Sequence, residues 1–436
     1  MTWILNFLYL LTIIIASPFL YIHYRKRGKS FKLLRQRFCG VGQLNFELND
    51  QAKTVWMHGV SVGEIHLLRQ VVSALKSRFP TAQVVVSAST EGGLVEANKA
   101  FPELNVIPFP LDFSWAVKRS LATIKPDLIV LAESELWPNF LTINQNVRVP
   151  VIIVNARMSP KTQARYKRFS LLARWLFGKI SAFGVQSPSM AAFLERIGIQ
   201  QDRVFVTGSV KFDGVCNSKV DSKVQAFGKL FGLKENDLVW VAGSTQAPEE
   251  SYLLQSFEEV KQNHKNLKLL LAPRQPSLFD ATAGLLEESG LSFVRRTQLK
   301  DSLDHCPDVI LLDSLGELRH VWGLADFGFV GGSLDGQRGG QNMIEPSAYG
   351  APVFFGPHIW NFKDIARELV EAGGAVMISS PQEIPPVVAK FASDISLRNR
   401  MGESAKAYVE SQQGATSKTL DILALFLNDQ FRSKAA

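Results

Sequence analysis

Short β-branched runs alternate with helix-like segments along most of this chain, and that alternation limits the fold more than any other feature. Residues 54–58, 83–88, 105–109, 127–132, 150–155, 182–186 and 204–207 read as strands buried on both faces. A weakly hydrophobic stretch, 213–237, interrupts the pattern, which restarts at 237–243 and continues through 267–272, 309–313, 326–330 and 352–355. Strands that alternate with helices predict parallel sheets covered by helices on both faces. The expectation is an α/β chain with two Rossmann-like domains in tandem, one over 25–213 and one over 214–436. Ligands of open α/β sheets bind outside the carboxyl ends of the strands, so two such domains predict one deep cleft between them.

The 436-residue length has room for these domains and an appendage. That appendage is 1–24, within which residues 3–22 are apolar and uncharged over about the ~20 residues a helix needs to cross a hydrocarbon core. A cleaved signal peptide fits less well, because no basic region precedes the segment and no small-x-small site follows it. His23, Arg25, Lys26, Arg27, Lys29, Lys32, Arg35 and Arg37 come next, and the positive-inside rule holds them and the rest of the chain on the cytoplasmic side. Asn6 and Pro18 also suit a helix that dips into one leaflet without crossing it. A second basic run, 157–179, interleaves its cations with Phe169, Leu171, Leu172, Trp175, Leu176 and Phe177, the pattern of a helix lying on an anionic surface. A partly buried helix with a solvated basic face reads the same way. The net charge of +8 comes with no basic recognition module, so nucleic acid is not an expected partner. Cys39, Cys216 and Cys306 are scattered, and the histidines show no metal-ligand spacing, so neither a disulfide framework nor a metal or other cofactor is expected.

Chemistry-bearing residues gather at the predicted strand ends. Ser61, Gly63 and Glu64 follow the first strand and open a helix, where the carboxylate either faces the cleft or simply caps the helix. Read literally, Gly59-Val-Ser-Val-Gly63 also matches the nucleophile elbow of α/β-hydrolases, but there the elbow follows several strands and precedes its acid and histidine. Glu133 and Glu135 end another strand and suit hydrogen bonds to a polyhydroxylated ligand better than a metal. Arg157, Ser159 and Lys211 bring polar and cationic groups to further ends of the first domain; Ser244, Thr245 and Arg274 do so in the second, with Arg274 a candidate anion clamp. The run 339–355 places a glycine turn with Gly340 and Asn342 before a helix start with Glu345, after a strand that ends in Gly332 and Ser333. Such turns aim backbone N–H groups at an anion such as phosphate, although a plain strand-turn-helix connection has the same spacing. His358 and Asn361 are placed at the same cleft.

The ordered set 58–64, 133–139, 155–159, 208–213, 242–245, 272–274, 313–317, 329–334 and 339–361 resembles the 3-deoxy-D-manno-octulosonic acid (Kdo) transferases of lipopolysaccharide synthesis. The resemblance implies a GT-B glycosyltransferase fold with a membrane anchor at the bacterial inner membrane. It also implies CMP-Kdo held mainly by the second domain, and a lipid A precursor, lipid IVA, met by the first. Glu64 is then the catalytic base of an inverting displacement. Lys211, Arg274 and the backbone donors of 331–333 and 339–342 are expected to stabilise the departing CMP phosphate. Family members often carry histidine where this chain has Gln246, Gln275 and Gln341, which keep hydrogen-bonding capacity but do not titrate. The alternatives are a GT-B enzyme using another nucleotide sugar and a non-catalytic glycolipid-binding relative.

Overall fold

The computed structural model describes residues 2–26, 31–133, 136–215 and 217–428, with the backbone alone for 18–26 and 160. The chain divides into two compact units, Met1–Asp213 with Gln413–Ala436, and Gly214–Gln412. In the first unit the strands are β1 (Thr54–Gly59), β2 (Gln83–Ala88), β3 (Asn105–Pro108), β4 (Leu128–Ala132), β5 (Val151–Ala156), β6 (Ala182–Val185) and β7 (Val204–Val206). They form a parallel sheet in the order β3-β2-β1-β4-β5-β6-β7. The reason these strands are largely apolar is that both faces are covered. Val55, Met57, Leu128, Val130, Ile152 and Val154 point into one core, and Trp56, Ile129, Leu131, Val151 and Ile153 into the other.

Helix Val62–Arg78 covers the first of these cores through Ile65, Leu68, Val71 and Leu75. Leu420, Ile422, Leu423 and Leu427 of helix Ala415–Leu427 complete it. The second unit therefore ends at Gln412 and not at 436 as expected, because this C-terminal helix buries its apolar side on the first sheet. Asp213 fixes its entry by accepting from the N–H groups of Gly414 and Thr416.

The N-terminal helix Thr2–Lys26 is held to the first unit by polar contacts. Asn6 exchanges hydrogen bonds with the Ser114 N–H and hydroxyl at 3.0 and 2.7 Å, and Tyr9 donates to Asp112 at 2.9 Å. Asp112 in turn accepts from the N–H groups of Asn139 and Phe140, at the start of helix Pro138–Asn146. Among the described residues no helix is long and apolar enough to cross a membrane. Met1 and the side chains of 18–24, part of the expected anchor, lie outside the described residues.

The second unit contains β8 (Leu238–Thr245), β9 (Leu267–Pro273), β10 (Phe293–Arg295), β11 (Val309–Leu311), β12 (Phe327–Val330), β13 (Val353–Phe355) and β14 (Ala375–Met377). All pair in parallel, in the order β10-β11-β9-β8-β12-β13-β14. The sequence pattern misses β10 and β14. Both are three-residue edge strands with incomplete burial, so neither carries a continuous apolar run. In each sheet the strand order reverses beside the first strand of the unit, between β1 and β4 and between β8 and β12. That reversal is where open α/β sheets offer space to a ligand.

Candidate active site

Four of the expected site residues converge at the carboxyl edge of the first sheet. Glu64 lies in the first turn after β1 and is partly exposed. Its Oε2 accepts the Val60 N–H at 2.6 Å, and its Oε1 is 3.4 Å from the Ser61 hydroxyl. Ser61 is the N-cap residue, yet its side chain makes no cap hydrogen bond; Glu64 instead reaches back past it to the N–H of Val60, the residue before the cap. His58 does not serve Ser61: its buried ring meets Ser87 and Ser89 and stacks on Phe109, and desolvation holds it neutral, lowered to about 3. The hydrolase elbow therefore has no geometric support. Gly63 is exposed beside this turn.

Glu133 follows β4 with a left-handed φ of 59°, and its carboxylate pairs with Arg157, which follows β5, at 3.3 Å. Lys211 lies in the turn Val210–Phe212, where burial pushes its pKa down, Arg157 adds to that, and Glu133 and Glu64 oppose it. That turn is held by Asn155, itself at φ 55°, whose Oδ1 accepts the Val210 N–H at 3.1 Å. Asn155 opens the 155–159 segment of the resemblance without being a candidate site residue, and its own signal is a polar residue within an apolar strand. Ser159 is turned to a different task, since its hydroxyl caps helix Pro160–Arg168 by accepting from the Thr162 N–H. Glu135 lies outside the described residues.

At the carboxyl edge of the second sheet the outcome differs from expectation in an instructive way. The N–H groups of Gly332 and Ser333, expected to cradle phosphate, are occupied by a protein carboxylate. Glu249 Oε2 accepts from Gly332 at 2.7 Å and Gln246 at 3.0 Å, while Oε1 accepts from Ser333 at 2.8 Å and Leu334 at 3.0 Å. Glu249 is fully buried, and desolvation pushes it up to about 7 against the pull of those donors. The Ser333 and Thr245 side chains are also fully buried. Ser333 donates its hydroxyl to the Val330 carbonyl and accepts from the Gly356 N–H, so its side chain serves the fold. Ser244, before Thr245, adopts φ 58°. Gln246 is buried as well, so this departure from the family pattern lies behind the surface.

What remains at the surface is a cationic corner. Arg274 and Arg319 both act on Glu345, whose pKa is raised by desolvation and lowered by a hydrogen bond from Asn342 and by these two cations. Arg319 was not a sequence candidate. Asn342 Oδ1 also accepts the Ile344 N–H at 3.0 Å, at the start of a five-residue helix too short for a strong dipole. Gly340 donates its N–H to the Gly332 carbonyl at 2.7 Å. The His358 ring packs on the loop at Gly336, and Asn361 holds Gly339 and Arg338 through their carbonyls.

Two parallel-sheet α/β units, each with its strand order reversing beside its first strand, make the GT-B type of fold, which glycosyltransferases share with UDP-N-acetylglucosamine 2-epimerases. A solved glycosyltransferase from Rickettsia africae matches with a TM-score of 0.54 at 12% identity, covering 86% of this chain and 99% of that one, a likeness of fold. The model of the family described as 3-deoxy-D-manno-octulosonic-acid transferase (kdotransferase) matches residues 32–214. The 3-deoxy-D-manno-octulosonic acid transferase of Bordetella pertussis is 31% identical over 381 residues, 85% of this chain and 87% of its own. The Haemophilus influenzae protein of the same description is 30% identical over 376 residues, 86% and 87% of the two chains. The chain belongs to the Kdo transferase family.

Proposed function

We propose that this protein is an inverting glycosyltransferase that moves Kdo from CMP-Kdo to a lipid A precursor during lipopolysaccharide synthesis. The observation that carries the reading is the setting of Glu64. One carboxylate oxygen is fixed by the Val60 N–H, and the group as a whole stands with Glu133, Arg157 and Lys211 at the strand-order reversal. In this reading Glu64 takes the proton of a primary sugar hydroxyl as that oxygen attacks C2 of Kdo. The bond from C2 to the phosphate oxygen breaks and its electron pair leaves with CMP, inverting the configuration. Lys211 and Arg157 compensate negative charge around the base, and Glu133 orients them. Arg274, Arg319, Asn342 and Glu345 are the groups that meet the donor in the second unit, the cations on its phosphate or carboxylate and Glu345 on hydroxyls.

Membrane attachment belongs to the same proposal. Trp3, Phe7, Ile14 and Ile15 of the N-terminal helix are all more than 60% exposed, while Asn6 and Tyr9 tie the helix to the protein. This arrangement supports a helix that lies in one leaflet at the cytoplasmic face of the inner membrane. Leu171 and Leu172, 84% and 61% exposed among basic neighbours, supply a second contact with an anionic surface.

The deciding experiment is a transfer assay on the detergent-solubilised protein, with a CMP-Kdo-generating system and lipid IVA. The acceptor mass should rise by one or more Kdo units. Donor binding without a mass gain would redirect the reading to another acceptor, and absence of donor binding would refute it.

A further inference from the structure

Three consecutive backbone N–H groups in the second unit, those of Gly332, Ser333 and Leu334, form a concave anion site, with Gly332 at φ 66°. The protein fills that site itself. The Glu249 carboxylate accepts these three N–H groups and a fourth from Gln246. A β-carbon at Gly331 would stand 2.5 Å from Thr245 Cα and 2.8 Å from Glu249 Oε2, so the close approach depends on glycine there.

The geometry assigns Glu249 the part of a built-in anion: a positioning residue whose carboxylate stands where a ligand phosphate was expected and fixes the loops that carry the donor site. This assignment rests on the donor reading given above. From the clamped segment the order spreads through the backbone. The Gly332 carbonyl receives the Gly340 N–H at 2.7 Å, which sets the turn before Asn342 and Glu345. The Ser333 carbonyl receives the His358 N–H at 3.0 Å, and the Ser333 hydroxyl receives the Gly356 N–H at 2.9 Å. Asn361 then closes on the Gly339 carbonyl at 2.9 Å. One buried carboxylate thus sets three loops, 331–334, 339–342 and 356–361. The donor phosphate is left to the cations Arg274 and Arg319.

The test is the full-length enzyme carrying Glu249→Ala, assayed with and without formate. Removal of the carboxylate leaves N–H donors around a space that formate fits. The KM for CMP-Kdo should rise at least tenfold with a smaller change in kcat, and formate, unlike chloride at equal ionic strength, should restore it. Glu249→Gln keeps the side-chain volume but turns an amide NH2 toward N–H donors, so formate should not rescue it. An unchanged KM in Glu249→Ala, or equal effects of formate and chloride, overturns the assignment. If Glu249→Ala does not fold, a crystal structure of the wild type with CMP decides: phosphate oxygens on the Gly332–Leu334 N–H groups overturn it, and retained Glu249 contacts uphold it. If the wild type binds no CMP-Kdo, the donor reading falls. The Tm of Glu249→Ala then carries the test, with selective recovery in formate supporting the built-in anion and no recovery overturning it.

Discussion

Glu64 makes two claims on one carboxylate, a tie to the turn before its helix and a catalytic base, and two substitutions separate them. In Glu64→Gln the amide oxygen can still accept the Val60 N–H, now held at 2.6 Å, and the NH2 group can face the Ser61 hydroxyl. The fold should therefore lose less than about 1 kcal/mol, since a hydrogen bond to a neutral acceptor replaces one to a charged acceptor. Proton abstraction is lost outright. General-base catalysis is typically worth about 10²- to 10⁴-fold, so kcat should fall by that factor, equivalent to roughly 2.7–5.5 kcal/mol of barrier. Glu64→Ala removes the hydrogen bond from the Val60 N–H too, and should add about 1–3 kcal/mol of instability, or a few degrees in Tm for a unit of this size. The assay is single-turnover transfer at saturating donor and acceptor, alongside thermal unfolding of the same preparations. Turnover in Glu64→Gln within tenfold of the wild type, or activity lost only in proportion to Tm in both variants, would refute the role as base.

The burial that raises Asp112 to about 6 from an ordinary 3.8 means that the folded state holds this proton more tightly than the unfolded one. Its contribution to stability is thus complete below about pH 4 and is lost as pH rises through about 6, on the order of 3 kcal/mol in all. Denaturant unfolding of Asp112→Asn should lack that slope between pH 4 and 7, and an unchanged slope would contradict the assignment. Leu423→Ala, in the C-terminal helix at a fully buried position, should cost about 2–5 kcal/mol and lower the unfolding midpoint of the first unit. A midpoint shift seen in the second unit instead would mean that the helix belongs there. Replacing both Leu171 and Leu172 by Glu should reduce flotation with anionic vesicles while leaving Tm within a few degrees, because both side chains are exposed.

The alternation of apolar runs was enough to read both sheets because parallel strands covered on two faces need little else. It failed at β10 and β14, where a three-residue edge strand has one partner and a half-wet surface. It also failed at Gln413, since the apolar side of helix Ala415–Leu427 fits either unit equally well as a pattern, and only the position of Asp213 and the first core decides between them. The site shows the same division more sharply. Glu64 and Glu249 both open a helix after the first strand of a unit, and both accept backbone N–H groups. Glu64 accepts the Val60 N–H and stays partly exposed, which leaves it able to take a proton; Glu249 accepts four backbone N–H groups and is sealed. The difference comes from Gly332, Ser333 and Leu334, more than eighty residues along the chain from Glu249, which arrive as donors only after β8 and β12 have paired. A glycine-rich turn in this class of fold therefore identifies an anion site, and the tertiary structure determines whether the anion is a ligand or the protein's own side chain.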